Sequence, residues 1–339
     1  MVRTHADNPR KSAFKIAVVI PCYREKGHIL DVLAGIGPEI SAIYVIDDAC
    51  PDKTGDFVET SVTDKRVQVL RNPDNLGVGG ATLNGYRAAL QDGAEIIVKV
   101  DGDGQMDPSL IVDLVQPILD GDADYTKGNR LHRRDASRGM PVIRLFGNMG
   151  LTLLSKLSSG YWDIMDPTNG FTAIHADVVR ELPLDEIAHG FFFESDMLFR
   201  LYEINAVVQD VSMRAKYGQE VSHLVVHRVF WLFLAGHLKN SWRRIVDTYF
   251  IREVGIASVE LLLGTVLFSA GSLYGALRWW QSIHTGIPAT AGTAILSAMG
   301  IIVGVQLLLA FIGHDTRRVP TDPIHKKNHR DDAVRSSAQ

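Results

Sequence analysis

The chain has 339 residues, 46% hydrophobic and 22% charged, enough apolar side chains for a large domain with an appendage or for two domains. A formal net charge of −4 provides no global basic field of the kind that binds nucleic acid. Two cysteines, Cys22 and Cys50, argue against a disulfide framework and suit a reducing compartment.

Residues 1–13 are polar and carry no apolar core segment, so a disordered tail is expected there rather than a secretory signal. Phe14 to Ile20 is a short apolar run ended by Pro21, a first buried strand, followed by Tyr23-Arg24-Glu25 and a helical pattern from His28 to Ile36. A second strand, Ala42 to Ile46, ends on Asp47-Asp48, and a third spans Val67 to Leu70. The next segment, Asn75-Leu76-Gly77-Val78-Gly79-Gly80, fails the dinucleotide fingerprint because the third glycine position is Thr82 and the segment follows the third strand. Close backbone approach to a helix or a ligand is the expected role, ahead of a helix from Gly79 to Gln91.

The fourth strand, Ile96 to Val100, runs into Asp101-Gly102-Asp103-Gly104-Gln105. Strands alternating with helices predict a mostly parallel sheet, whose carboxyl edge collects ligands. Asp101 and Asp103 with the Gln105 amide are hard oxygen donors suited to Mg²⁺ or Mn²⁺, unless the turn is simply solvated. Ala123 to Lys127 reads as another strand, ending at Gly128-Asn129-Arg130. Arg130, His132, Arg133, Arg134, Arg138 and Arg144, opposed by Asp135, form either a solvated loop or a clamp for an anionic group. Asp166 to Phe171 is a turn entering a strand, and Phe191 to Asp196 opens a helix to Glu203. Glu194 and Asp196 suit its first turn through the helix dipole, or face the cleft as a general base or acceptor-binding group.

Residues 227–252 interleave aromatic and aliphatic side chains with Arg228, His237, Lys239, Arg243, Arg244 and Arg252, as in helices lying in a membrane interface. Val254–Leu277, apolar except for Glu260, and the uncharged Ala289–Ile312 are each long enough to span a bilayer. Basic residues flank the outer ends of this hairpin, placing both termini in the cytoplasm. Gly271-x-x-x-Gly275 and Gly300-x-x-x-Gly304 allow close helix contact within the hairpin or between subunits of a homo-oligomer. The expected divisions are a tail (1–13), an α/β domain (14–226), juxtamembrane helices (227–252), a two-helix transmembrane segment (253–314) and a basic tail (315–339).

In their order and spacing, Val18 to Glu25, Val45 to Ala49, Asn75 to Gly77, Asp101 to Gln105, Gly128 to Arg130, Asp166 to Phe171 and Glu194 to Asp196 resemble the family 2 glycosyltransferases of GT-A fold. The similarity is to the polyprenyl-phosphate branch that includes dolichol-phosphate mannose synthase. It covers about residues 14–225 and implies a membrane-anchored, inverting transferase that moves one sugar from a UDP- or GDP-sugar to polyprenyl phosphate. Pro21, Tyr23 and Glu25, with Asp47 or Asp48, would hold the nucleoside. Asp101 and Asp103, helped by Gln105, would bind the divalent cation. Arg130, with Arg144 and Arg214, would hold phosphates, although His223 replaces a lysine often found near the last of these. Asp103, Arg130 and Asp196 are the expected catalytic residues. If the acceptor is instead a hydroxyl of a lipid-linked saccharide or glycan, Asp196 is the first candidate base and Asp166 the second. The Gln-x-x-Arg-Trp pattern of processive synthases is absent, so a single transfer is expected. A catalytically silent membrane scaffold is the remaining alternative, and the intact Asp-Gly-Asp-Gly-Gln run speaks against it.

Overall fold

The computed structural model describes residues 14–130, 142–213 and 226–328. They fall into two compact units, one reaching to Asn240 and resuming at Pro320, the other Ser241–Val319.

The first unit is built on a seven-stranded sheet. Its elements are β1 (Ile16–Cys22), α1 (Ile29–Ala34), β2 (Ala42–Asp47), α2 (Thr54–Ser61), β3 (Val67–Arg71), α3 (Gly77–Gln91), β4 (Ile96–Lys99), α4 (Ile111–Leu119), β5 (Tyr125–Asn129), α5 (Val142–Ser159), β6 (Thr172–His175), α6 (Ala176–Glu181), α7 (Phe193–Glu203) and β7 (Val208–Ser212). The strand order is β3-β2-β1-β4-β6-β5-β7, with β6 antiparallel to both neighbours and the other pairs parallel. Val18, Ile20, Ile43, Val45, Ile96 and Val98 are fully buried, as expected of strands covered by helices on both faces. The order reverses between β1 and β4, and ligand crevices of open α/β sheets form at the carboxyl ends of such a pair.

Pro21 does not end the first strand. β1 continues through it to Cys22, paired with β2. The ladder to β4 stops at Val19, whose carbonyl accepts from Val100 N–H, so the missing proline N–H lies beyond the last bond on that side.

A second unanticipated feature closes the unit from the far end of the sequence. Asp124, completely buried, accepts backbone N–H groups from Val207 (2.9 Å), Ile324 (2.9 Å) and His325 (3.2 Å), and lies 2.7 Å from His325 Nδ1. The His325 ring stacks on His175 with centroids 4.5 Å apart. The start of the expected basic tail is therefore a docked segment. Replacing Asp124 by Ala orphans three buried N–H groups, so unit 1 should lose about 3 kcal/mol. Residues 320–328 should then become cleavable in limited proteolysis while transfer persists below the lowered melting point.

The helix α8 (Val226–Val246) links the units and is followed by a π-helical turn, Asp247–Arg252. Within unit 1, His237 and Asn240 of this helix are buried while Phe230, Trp231 and Leu238 are exposed. Unit 2 holds the hairpin of α9 (Ile256–Thr285) and α10 (Ala291–Asp315), whose 30 and 25 residues pass the roughly 20 needed to cross hydrocarbon. Both expose most of their leucine, isoleucine and valine side chains, unlike the core helix of a soluble protein. The glycine patterns are used inside the hairpin: a Cβ on Gly271 would lie 2.9 Å from Ile301 N, and one on Gly304 2.5 Å from Phe268 N. Glu260 faces the last turn of α10, 3.5 Å from His314 Nε2. The buried Arg244 grips Asp315 through two bonds of 2.6 and 2.9 Å, and Tyr249 adds a third at 2.7 Å.

Candidate active site

The carboxyl ends of β2, β1 and β4 stand side by side, because Cys22 registers with Asp47 and Val19 with Lys99. Pro21 is buried at the centre of this edge, and Tyr23 projects from it, 42% exposed. The loops that follow carry three non-glycine residues in left-handed backbone, Arg24 (φ 66°), Ala49 (φ 51°) and Lys53 (φ 53°). Such strain persists only where the surroundings hold it, and it gathers at functional sites. Here Cys50 Sγ accepts the Arg24 N–H at 3.1 Å, tying the two loops together. The Glu25 carbonyl accepts from His28 and Ile29 N–H ahead of α1.

Asp47 and Asp48 are buried and turned to the backbone. Asp47 accepts from Cys50 N (2.8 Å) and Gly55 N (2.6 Å), fixing the start of α2. Asp48 accepts from Asn72 Nδ2 (2.7 Å), Leu76 N (3.0 Å) and Gly77 N (2.8 Å), fixing the entry to α3. The two acids thus shape the walls beside β1. The glycines at the head of α3 answer the expectation of a close approach: a Cβ on Gly79 would sit 2.5 Å from the Ala188 carbonyl, and Gly79 N–H donates to the His189 carbonyl at 2.7 Å.

Beyond β4, Asp101 is 2.5 Å from the ammonium of Lys99, which also reaches Glu194 Oε1 at 3.2 Å and the Gly170 carbonyl at 3.4 Å. A Cβ on Gly170 would meet Asp101 Oδ2 at 2.4 Å, so only glycine fits against this pair. Burial pushes the Lys99 ammonium down, but Asp101 and Glu194 outweigh it and raise its pKa. Asp103 Oδ1 accepts Gln105 N–H at 3.0 Å across the Gly104 turn (φ 74°), and the Gln105 side chain is exposed. Among the described residues no cluster of three or more His, Cys, Asp or Glu could hold a metal ion by itself. Two partly exposed carboxylates and an amide instead fit a cation that keeps waters and shares ligand phosphates, the habit of Mg²⁺.

Arg130 follows β5 and is held by Asp166 in a fork, Nε to Oδ2 at 2.8 Å and a terminal nitrogen to Oδ1 at 3.2 Å. The Asp166 side chain is buried and that of Arg130 39% exposed, so a buried carboxylate holds a partly exposed arginine. Arg144 belongs to the first turn of α5 rather than to a loop. His132, Arg133, Arg134, Asp135, Arg138 and Arg214 lie outside the described residues.

Glu194 and Asp196 part company. Two residues along a helix turn about 200°, so Glu194 meets Lys99 while Asp196 faces away. Both Asp196 oxygens are occupied, Oδ2 by Ala188 N and Oδ1 by Asn240 Nδ2, each at 2.8 Å. Asp196 therefore fastens α8 and the 186–190 loop to α7. Ala188, Gly190, Phe192, Leu232, Ala235 and Lys239 line an apolar cavity of about 300 Å³ between that loop and α8. Next to it His237 is buried with Nδ1 2.7 Å from Ser158 Oγ, and Nε2 has no hydrogen-bond partner among the described residues.

Burial pushes the His237 pKa down to about 4 from 6.5. The folded value lies below the unfolded one, so this contribution to stability is complete above pH 6.5 and is lost as pH falls toward 4, roughly 3 kcal/mol in all. Thermal unfolding should follow that window, and His237→Phe should flatten most of the slope.

The sequence relationships agree with this geometry. The model of "Glycosyl transferase family 2" matches residues 17–183. The undecaprenyl-phosphate mannosyltransferase of Micrococcus luteus is 31% identical over 202 residues, 58% of this chain and 82% of that relative. The chain belongs to glycosyl transferase family 2. This transferase is also 28% identical, over 181 residues, to the UDP-N-acetylglucosamine–dolichyl-phosphate N-acetylglucosaminyltransferase of Methanococcus voltae, covering 49% of this chain and 72% of the relative. Its fold matches that of glucosyl-3-phosphoglycerate synthase from Mycobacterium tuberculosis, solved with Mn²⁺, UDP and phosphoglyceric acid. There the TM-score is 0.54 at 20% identity, over 67% of this chain and 78% of that one. The GT-A fold expected from the motifs is thereby present.

Two site residues carry no expectation from the sequence, Lys99 and Lys127. Lys99 interrupts an apolar strand run and Lys127 lies within the buried strand β5, each next to site residues, and buried lysines are rare unless paired. Burial pushes Lys127 down to about 8, against the pull of Glu194 and Asp166.

Proposed function

We propose that this family 2 enzyme is a membrane-anchored inverting transferase that moves one sugar from a nucleotide-sugar to polyprenyl phosphate. The observation that carries this reading is the state of the acids at the site. Asp101 and Glu194 are bound to Lys99, Asp166 to Arg130, and Asp196 to two N–H donors. Each of these four carboxylates is already engaged by a partner within the protein, and none is set apart as a general base. An acceptor hydroxyl needs such a base. A phosphate monoester, with a second pKa near 6, brings its own anionic oxygen at pH 7. The names of the relatives in Micrococcus luteus and Methanococcus voltae, both transferases to polyprenyl phosphates, support the same acceptor.

The nucleoside rests against Pro21, Tyr23 and Glu25, between walls set by Asp47 and Asp48. Asp101, Asp103 and Gln105 hold a divalent cation, Mg²⁺ or Mn²⁺, which offsets the charge of the diphosphate. Arg130 holds the acceptor phosphate, with Arg144 and Arg214 as further candidates. The acceptor oxygen attacks the anomeric carbon from the face opposite the diphosphate. The carbon–oxygen bond to the diphosphate breaks, and its electron pair leaves with the nucleoside diphosphate, giving inversion. The apolar cavity beside α8 suits the isoprenoid end of the acceptor.

The α9–α10 hairpin is the anchor. The basic flanks support a reading with its two ends in the cytoplasm. Docking of residues 324–328 on unit 1 supports both ends emerging on the side that carries the catalytic unit.

The test compares acceptors. Protein in nanodiscs with Mn²⁺ and UDP- or GDP-sugars is offered polyprenyl phosphate, the parent polyprenol and a lipid-linked saccharide. Transfer to the phosphate alone is expected. Comparable transfer to either hydroxyl acceptor would overturn the reading.

A further inference from the structure

Lys99 of β4 and Lys127 of β5 register with the same residue of β6, Thr172. Directly opposed residues of antiparallel strands point to one face. The three side chains therefore form a row across the sheet, with the two lysine Cα atoms about 9–10 Å apart at ordinary strand spacing. Lys99 is 1% exposed and Lys127 not at all. Apolar side chains would fill the same space without the desolvation cost of two cations.

What the ammonium groups touch explains their presence. Lys127 Nζ donates to the Asn169 carbonyl, and Lys99 Nζ lies 3.4 Å from the carbonyl of the next residue, Gly170. Both cations thus support one turn, Asp166–Gly170. The Asn169 side chain secures it from above, donating to the Gly128 carbonyl at 2.6 Å and accepting from Phe171 N–H at 3.1 Å. That turn begins with Asp166, which forks Arg130, while Lys99 also takes one oxygen of Asp101.

We propose that Lys99 and Lys127 are positioning residues with separable tasks: Lys99 orients the Asp101 carboxylate toward the donor's cation, and Lys127, through the Asn169 carbonyl, sets the turn whose Asp166 aims Arg130 at the acceptor. This assignment rests on the roles given to Asp101 and Arg130 under the proposed function. A buried lysine with a purely structural role predicts instead that both variants lose donor and acceptor functions together.

The experiment uses the full chain in nanodiscs and two readouts. Calorimetry measures binding of UDP and of GDP with and without Mn²⁺, and steady-state kinetics measure kcat/KM for polyprenyl phosphate. Loss of a group that orients a metal ligand costs 10- to 100-fold in affinity. K99M should weaken Mn²⁺-dependent nucleotide binding by that factor and leave metal-free binding within twofold. K127M should leave Mn²⁺-dependent binding within twofold and lower kcat/KM for the acceptor at least tenfold. Because K99M leaves Asp101 and Glu194 without their shared cation, K99M/E194Q removes one charge and restores folding should the single variant fail. It should remain weak for Mn²⁺. Wild-type Mn²⁺ affinity in folded K99M or K99M/E194Q would overturn the assignment, as would an equal fall of both readouts in both lysine variants. Wild-type protein that binds neither nucleotide in a Mn²⁺-dependent way would instead sink the underlying site reading, and the lysine assignment with it.

Discussion

Asp103→Ala should lower sugar transfer by about a thousandfold or more, with the nucleotide still bound weakly and the fold intact. Charge builds on the departing diphosphate as its bond to the sugar breaks, and loss of one preorganised stabiliser of such charge costs about 10²–10³-fold. The expected effect lies at or above the top of that range because Asp101 and Asp103 are the two carboxylates of the turn that follows β4. Asp101 is already shared with Lys99, whereas Asp103 sits at the tip of the turn with its carboxylate set by Gln105 N–H. Asp103→Asn keeps an oxygen to accept that bond but removes the charge, so its rate should fall between wild type and Asp103→Ala. Both variants alter a partly exposed turn, and their melting should stay within about 1 kcal/mol of wild type. Initial rates and thermal unfolding on the same samples separate the two effects.

Arg130→Lys should lower kcat/KM for the acceptor by about 100-fold while leaving donor binding within a few fold. Lysine keeps the charge but not the planar fork that Asp166 holds through two bonds. A single ammonium can neither stay on both Asp166 oxygens nor present a second pair of N–H groups to a phosphate. Asp166→Asn should mimic part of this loss by leaving the guanidinium unaimed. Rates at saturating donor and varied acceptor check both, and an effect confined to the donor KM would contradict the role given to Arg130.

Much of this could be read from local pattern. The apolar run Ile96 to Val100 had to be buried, and acids directly after it had to stand at the carboxyl edge. The hairpin was equally plain, because two long apolar runs, one interrupted by Glu260 alone, have few alternatives in water. What stayed hidden depends on non-local partners. Whether Asp47 and Asp48 face a ligand or backbone N–H groups is decided by how residues 50–55 and 72–77 fold back on them. Glu194 and Asp196 share one helical turn, and only the placement of Lys99 and Asn240 distinguishes them. In α8 apolar and polar residues are interleaved, and His237 and Asn240 are buried while Phe230, Trp231 and Leu238 are exposed. Asp124 meets His325 across 201 positions, a contact that no periodicity encodes.

The central claim is best tested on the product itself. The acceptor's phosphorus is a monoester before transfer and a diester after it, and ³¹P NMR with mass spectrometry reads that change directly. Incubation with polyprenyl phosphate, Mn²⁺ and the active nucleotide-sugar should replace the monoester resonance by a diester and add the mass of one sugar residue, with no change in the Asp103→Ala control. An unchanged monoester alongside consumption of the nucleotide-sugar, or a product bearing several sugars, would contradict the account.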